Sequence, residues 1–181
     1  CLDRSPALSL VLTTGTVTAA TLLGQVFRHP RVIHQFMPLD VPRWCTRFLT
    51  HWKPQAVVFT ESELWPNMLG LCHARNIPVV LVNGRMSDRT FNRWRHTSRI
   101  ARRMLERFAW VCPRSEQDAY RLKALGAQNL LPSGDLKTAA DPLPVDSAEL
   151  ERVRGLVGGR PVFLAASTHA GEDAQIVSAA E

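Results

Sequence analysis

The sequence has no long apolar run: stretches such as Leu8 to Leu12 and Val79 to Val82 fall far short of the roughly 20 residues a membrane-spanning helix requires. A bilayer-spanning helix is therefore excluded. No initiator Met precedes Cys1-Leu2-Asp3-Arg4, and the basic, apolar and small-residue succession of a signal peptide is missing, so a lost N-terminus is expected. Cysteine is sparse. Cys1, Cys45, Cys72 and Cys112 form no CxxC pair and none of the close spacings of a disulfide framework or zinc site. They read as reduced thiols in cytosol, with Cys72 and Cys112 in apolar stretches that suit buried structural roles. The dispersed histidines lack the i, i+4 pairing of a helical metal site, and GxGxxG, GxxxxGK[ST] and GxSxG are all absent. Neither a metal nor a cofactor is expected.

What is present is enough for a folded body. At 181 residues and 45% hydrophobic content the chain can bury an ordinary core, as one domain or one and a fraction. Its net charge of +6, from 22 Lys+Arg against 16 Asp+Glu, points to anionic partners without choosing among nucleic acid, acidic lipid and phosphorylated substrate.

Short β-rich runs alternate with helical patterns, the signature of a parallel sheet covered by helices. Strands are predicted over residues 8–13, 31–36, 55–60, 77–82, 108–112 and 128–132, with helices near 16–27, 42–51, 65–75, 88–106 and 115–125. Ser115 with Asp118 forms a capping box with the shorter acid, and Gly126 supplies the stop. The fold class is α/β, doubly wound and of Rossmann type. Two prolines in Asp141-Pro142-Leu143-Pro144 mark a boundary, a polar helix is predicted over 146–156, and Pro161 to Ala166 reads as a buried strand ahead of a further helix. A single strand and helix cannot make a domain, so residues beyond about 160 read as the first βα unit of a second one.

In open parallel sheets ligands bind beyond the carboxyl ends of the strands. Four segments stand there: Glu61-Ser62-Glu63-Leu64-Trp65-Pro66-Asn67, Asn83-Gly84-Arg85-Met86-Ser87, Pro113-Arg114-Ser115-Glu116 and Ser133-Gly134-Asp135-Leu136-Lys137. Arg85 can grip a carboxylate or phosphate, and Gly84 lets backbone approach a ligand. Each residue also has a plainer reading. Acids at a helix start suit its dipole, Trp65 is a natural core anchor, Arg85 and Lys137 suit solvated loops, and Asn83 and Gly84 are ordinary turn residues. Their coincidence on one sheet edge favours a site for a charged substrate. Ser167, Thr168, His169 and Gly171 follow strand 161–166 and could offer backbone N–H groups and hydroxyls to a phosphate, or simply cap a helix.

These residues resemble a known family. Glu61 to Asn67 is similar to the E-[TS]-E-L-W-P-N signature of the 3-deoxy-D-manno-octulosonic acid (Kdo) transferases. Asn83 to Ser87 resembles their N-x-R-[LM]-S, Gly134 to Lys137 their G-[SD]-L-K, and Ser167 to Glu172 their S-T-H-x-G-E. The first segment is specific, the others weak alone, and the resemblance runs from Thr13 to Glu172. It implies two Rossmann-like domains in a GT-B arrangement, truncated here at both ends. Residues 1–142 would be the acceptor-side N-terminal domain without its first strand, 143–160 a linker and helix, and 161–181 the opening of the nucleotide-binding domain. The implied reaction is an inverting, metal-independent transfer of Kdo from CMP-Kdo to a lipid A precursor (lipid IVA), in lipopolysaccharide core biosynthesis at the cytoplasmic face of the bacterial inner membrane. Such chemistry needs a base for the acceptor hydroxyl and groups that stabilise developing charge. By motif match Glu61 and Lys137 would be the charge-stabilising pair. Glu63, Asn83 and Arg85 would shape the site, and Ser167, Thr168, His169 and Gly171 would face the nucleotide. The family's general-base Glu lies upstream of this chain and its main CMP-binding motifs lie beyond Glu181, so the fragment itself is expected to be inactive. Thr13-Thr14-Gly15-Thr16-Val17-Thr18-Ala19-Ala20 also departs from the family's T-T-x-T-x-T-G-S turn at its closing Gly-Ser.

Arg89, Arg93, Arg95, Arg99, Arg102, Arg103 and Arg107, interleaved with Phe91, Trp94 and Trp110, carry much of the positive charge. They suit either a solvated face or docking on anionic lipid, and the family context favours the membrane. Two other functions compete: another GT-B enzyme with a different nucleotide-sugar donor, and a non-enzymatic nucleic-acid-binding module. The second leaves Glu61 and Glu63 unexplained, and no nucleic-acid partner is expected.

Overall fold

The structure, a computed structural model, describes residues 2, 4–140, 142 and 144–180. Cys1, Asp3, Asp141 and Leu143 of the expected boundary, and Glu181 lie outside the described residues. Two compact units divide the chain, residues 1–139 and 140–181.

The first unit runs β1 (Leu10–Thr14), α1 (Val17–Val26), β2 (Val32–Phe36), α2 (Pro42–Trp52), β3 (Val57–Thr60), α3 (Pro66–Ala74), β4 (Val79–Gly84), α4 (Asp88–Arg95), α5 (Ser98–Leu105), β5 (Trp110–Pro113), α6 (Glu116–Leu125) and a 3₁₀ turn (Leu136–Ala139). Every ladder is parallel, as the β/α alternation requires, and the α/β class expected of the sequence is the class observed. The strands fall into two ladders, β1-β2 and β3-β4-β5. Within each ladder the strand order follows the chain, and parallel strands put their carboxyl ends on a common edge, where open α/β sheets bind ligands.

Alternation along β3-β4-β5 sets the core. Phe59, Val79, Leu81 and Val111 are buried on one face, whereas Val58 and Trp110 on the other are 59% and 49% exposed. The buried face packs in one cluster with Cys45 and Leu49 of α2, Met68, Leu69 and Cys72 of α3, Ala101, Met104 and Leu105 of α5, and Leu122 and Leu125 of α6. Gly84 closes β4 where a Cβ would stand 3.1 Å from the Leu81 side chain and 3.3 Å from that of Leu122, so glycine permits this approach of strand and helix. The expected cap forms at α6: the Ser115 hydroxyl accepts from the Asp118 N–H at 3.2 Å, and Gly126 ends the helix at φ 114°.

Three expected elements differ. The single helix over 88–106 breaks into α4 and α5, because Thr97 leaves helical geometry at ψ 40° and its hydroxyl donates back to the Trp94 carbonyl at 3.4 Å. Residues 128–132 form only an isolated parallel bridge, Leu130 to Val111. Pro161 to Ala166 is not a strand: the second unit comprises α7 (Ser147–Val157) and α8 (Glu172–Ala180), and within it Leu164 is 84% exposed. Without a neighbouring strand, an extended segment has no ladder to join. Among the described residues no helix is long and apolar enough to cross a membrane.

Cys45, Cys72 and Cys112 are free thiols; Cys45 and Cys72 are buried and Cys112 half-buried. Burial pushes the Cys72 thiol up to about 11, and burial together with neighbouring Asp40 does the same for Cys45. The folded state thus holds these protons more tightly than an unfolded chain near 9.0, so their stabilising contribution is complete below that pH and is lost as pH rises towards about 11. Iodoacetamide at pH 8 should leave Cys45 and Cys72 unmodified in the folded chain and label both in denaturant, read by peptide mass mapping. Denaturation midpoints should fall across the same alkaline window.

Candidate functional site at the carboxyl edge of the sheet

The loops that leave β3, β4 and β5, and the segment after residue 130, are joined by hydrogen bonds through their backbones. The Glu61 N–H donates to the Val82 carbonyl at 3.0 Å and the Arg85 N–H to the Glu61 carbonyl at 3.3 Å, so the first loop lies along the second. The Ser62 hydroxyl adds a bond to the Arg85 carbonyl at 3.0 Å. Arg114 N–H reaches the Gly84 carbonyl and Gly134 N–H the Pro113 carbonyl, both at 3.0 Å. The fourth segment is tied to the second by a side chain: Asn83 Oδ1 accepts from the Leu136 N–H at 3.1 Å.

Two residues here adopt the left-handed backbone that L-residues rarely occupy, Glu61 at φ 58° and Asn83 at φ 53°. Asn tolerates this region better than most residues, and its buried carboxamide, 5% exposed, is oriented to take the Leu136 amide. The segment after Gly84 is gripped from α6. Buried Asp118 accepts from the Met86 N–H at 2.7 Å, Arg121 Nη1 donates to the Met86 carbonyl at 2.7 Å, and Arg121 is paired with Asp88. Arg114 Nε lies 3.7 Å from Asp118.

Of the residues singled out by sequence, Glu61, Glu63, Asn83, Arg85 and Lys137 gather at this edge. Asn83 is turned into the protein as a latch. Glu61, Glu63, Arg85 and Lys137 are exposed, and among the described residues none of them enters an ion pair. Glu63 accepts from the Trp65 indole N–H, which gives that ring a polar task beside its packing against the core. Lys137 is the second residue of the 3₁₀ turn, its N–H donating to Asp135 Oδ1 at 3.0 Å. Two carboxylates and two cations are thus held by fixed backbone with their charges uncommitted, an arrangement suited to a substrate carrying anionic groups and developing charge.

Ser167, Thr168, His169 and Gly171 stand together in the second unit, all exposed, with Ser167 at φ 60° and Gly171 at φ 93°. The His169 N–H is already used: it donates to Glu172 Oε2 at 2.8 Å, while the Glu172 N–H donates to the His169 carbonyl at 3.0 Å. Glu172 thus folds back over the entry to α8.

Sequence reading missed three residues that hold the edge: Asp40, Asp118 as more than a local cap, and Arg121. Asp118 carried the signal of a capping box. Asp40 and Arg121 carried none, because their partners lie 27 to 35 positions away.

Residues 1–140 match the family described as 3-deoxy-D-manno-octulosonic-acid transferase (kdotransferase). A probable mitochondrial 3-deoxy-D-manno-octulosonic acid transferase of Arabidopsis thaliana is 34% identical over 184 aligned residues, covering 98% of this chain and 41% of the relative. The 3-deoxy-D-manno-octulosonic acid transferases of Rickettsia felis and Haemophilus influenzae are 32% and 30% identical, covering 96% and 93% of this chain and 37% and 40% of theirs. The chain therefore spans about two fifths of the length of these relatives. The three segments at the sheet edge and the match over nearly the whole chain agree, and the chain belongs to the 3-deoxy-D-manno-octulosonic-acid transferase family of glycosyltransferases.

Proposed function

We propose that the full-length protein transfers Kdo from CMP-Kdo to the lipid A precursor lipid IVA, in lipopolysaccharide core biosynthesis at the cytoplasmic face of the inner membrane. The observation that carries this reading is the stitching of the loops after β3 and β4 to the 133–139 segment, which delivers Glu61, Arg85 and Lys137 to one edge with their charges unpaired. In the transfer the acceptor hydroxyl oxygen bonds to the anomeric carbon as the bond to the CMP phosphate breaks, and inversion follows from attack opposite the leaving group. Positive charge grows on the sugar ring and negative charge on the departing phosphate. A carboxylate at Glu61 stabilises the first and an ammonium at Lys137 the second, without a metal. Arg85 offers a fork for the carboxylate of Kdo, and Glu63 orients the acceptor side. The hydroxyl proton passes to a base other than these four residues.

Residues 1–142 form the acceptor-side domain, 143–160 the connection, and 161–181 open the nucleotide-binding domain, where Ser167, Thr168, His169 and Gly171 face the donor. β1 and β3 each stand at the end of a parallel ladder, and a further strand of the full-length protein would join the two ladders into one doubly wound sheet. Membrane contact falls to α4 and α5. Burial of Ala101, Met104 and Leu105 turns Arg99, Ile100, Arg102 and Arg103 outward, an exposed basic face flanked by an apolar residue, Ile100.

Two outcomes test the proposal in the full-length protein. Glu61→Gln and Lys137→Met should each lower turnover of CMP-Kdo by about 100- to 1000-fold with the fold retained, the size typical of losing one preorganised charge-stabilising group. Near-full activity in both folded variants would remove these residues from the site. Replacing Arg95, Arg99 and Arg103 together by Gln should weaken binding to anionic liposomes at low salt, since each basic side chain near such a surface contributes about 1 kcal/mol. Arg102 is left in place because its stem packs at Gly126. Unchanged partitioning would assign these arginines to a solvated face.

A further inference from the structure

Helix α3 begins without a cap of its own. Its N-cap residue is Trp65, whose side chain makes no capping bond, and Pro66 occupies the first turn. The next two N–H groups would be left unsatisfied. Both go instead to Asp40, which stands between β2 and α2 and is remote in sequence: the Asn67 N–H donates to Oδ2 at 3.0 Å and the Met68 N–H to Oδ1 at 2.8 Å. Asn67 completes the clamp with its side chain, Nδ2 donating to the Asp40 carbonyl at 2.7 Å and to Oδ2 at 3.3 Å. A carboxylate accepting from a helix N-terminus is also favoured by the helix dipole.

This clamp sits two residues from Trp65, whose indole N–H holds the Glu63 carboxylate. A continuous set of contacts therefore runs from Asp40, through the first turn of α3 and Trp65, to Glu63. We propose that Asp40 is a positioning residue for the transfer reaction, fixing the start of α3 so that Trp65 holds Glu63 in its working orientation; this rests on the functional reading above. It also gives the Asn of the Glu-Ser-Glu-Leu-Trp-Pro-Asn segment its task, which is to receive the clamp. A cap that merely stabilised α3 would add to folding stability and do nothing specific to Glu63.

A double-mutant cycle in the full-length protein separates these roles. Asp40→Ala should lower turnover of CMP-Kdo by about 10- to 100-fold, the scale of a misplacement of about 1 Å in a site. Asp40→Asn, which keeps a carbonyl acceptor for one N–H, should recover much of that loss. In a Glu63→Gln background the Asp40→Ala change should cost little more, because the group it positions is already altered. If Asp40→Ala does not fold, Asp40→Asn takes its place in the same cycle. Losses that multiply independently, or an Asp40→Ala protein as active as wild type, would overturn the inference while leaving the functional reading intact. A wild-type protein that transfers no Kdo would overturn the functional reading, and this inference with it.

Discussion

The hydrogen bond from the Leu136 N–H to the Asn83 carboxamide is the constraint on which the site depends. Asn83 ends the buried face of β4, and Leu136 opens the turn that carries Lys137. Without this bond, among the described residues, the segment after residue 133 would be hydrogen-bonded to the sheet edge by the Gly134 N–H to the Pro113 carbonyl and by Ser133 to Glu116. The left-handed backbone at Asn83 opposes the arrangement by about 1 kcal/mol or more, a cost of the order that one buried hydrogen bond offsets. Strain of this kind persists where surrounding structure over-determines it, as the Gly84 contacts and the grip of α6 on Met86 do here.

Charges at this edge divide into two groups. Asp118, Arg121, Arg114 and Asp88 are engaged with one another and with the backbone of Met86, and Asp118 and Arg121 are only 2% and 7% exposed. Their pairing adds little stability beyond what apolar replacements could give, but it fixes one course for the loop after β4. Glu61, Glu63, Arg85 and Lys137 face solvent. The first group holds the backbone from which the second presents its charges, and preorganised charge of this kind is what a transferase needs at a developing ionic transition state.

Much of this was legible in the residues. The β/α rhythm placed β1 to β5 and most helices, because period-2 alternation on β4 and i, i+3, i+4 burial on α5 leave a pattern in the chain. The chemical segments at strand ends were legible for the same reason, since a parallel sheet puts all its carboxyl ends on one edge. Where the reading failed, the cause was a contact or its absence. Thr97 looks like a tolerable helix residue until its hydroxyl bonds back to Trp94. Pro161 to Ala166 has the composition of a strand but no ladder to join within its unit. Asp40 and Arg121 are ordinary polar residues in sequence, and only folding brings them to the Glu61 and Asn83 loops from 27 and 35 positions away.

The central claim is that this edge serves the transfer of Kdo. It is tested most directly by incubating the full-length protein with a lipid A precursor and, separately, with CMP-Kdo and a panel of other nucleotide sugars, and reading the lipid product by mass spectrometry. The account predicts product heavier by whole Kdo units with CMP-Kdo and none with the other donors. Product from another nucleotide sugar, with none from CMP-Kdo, would contradict it.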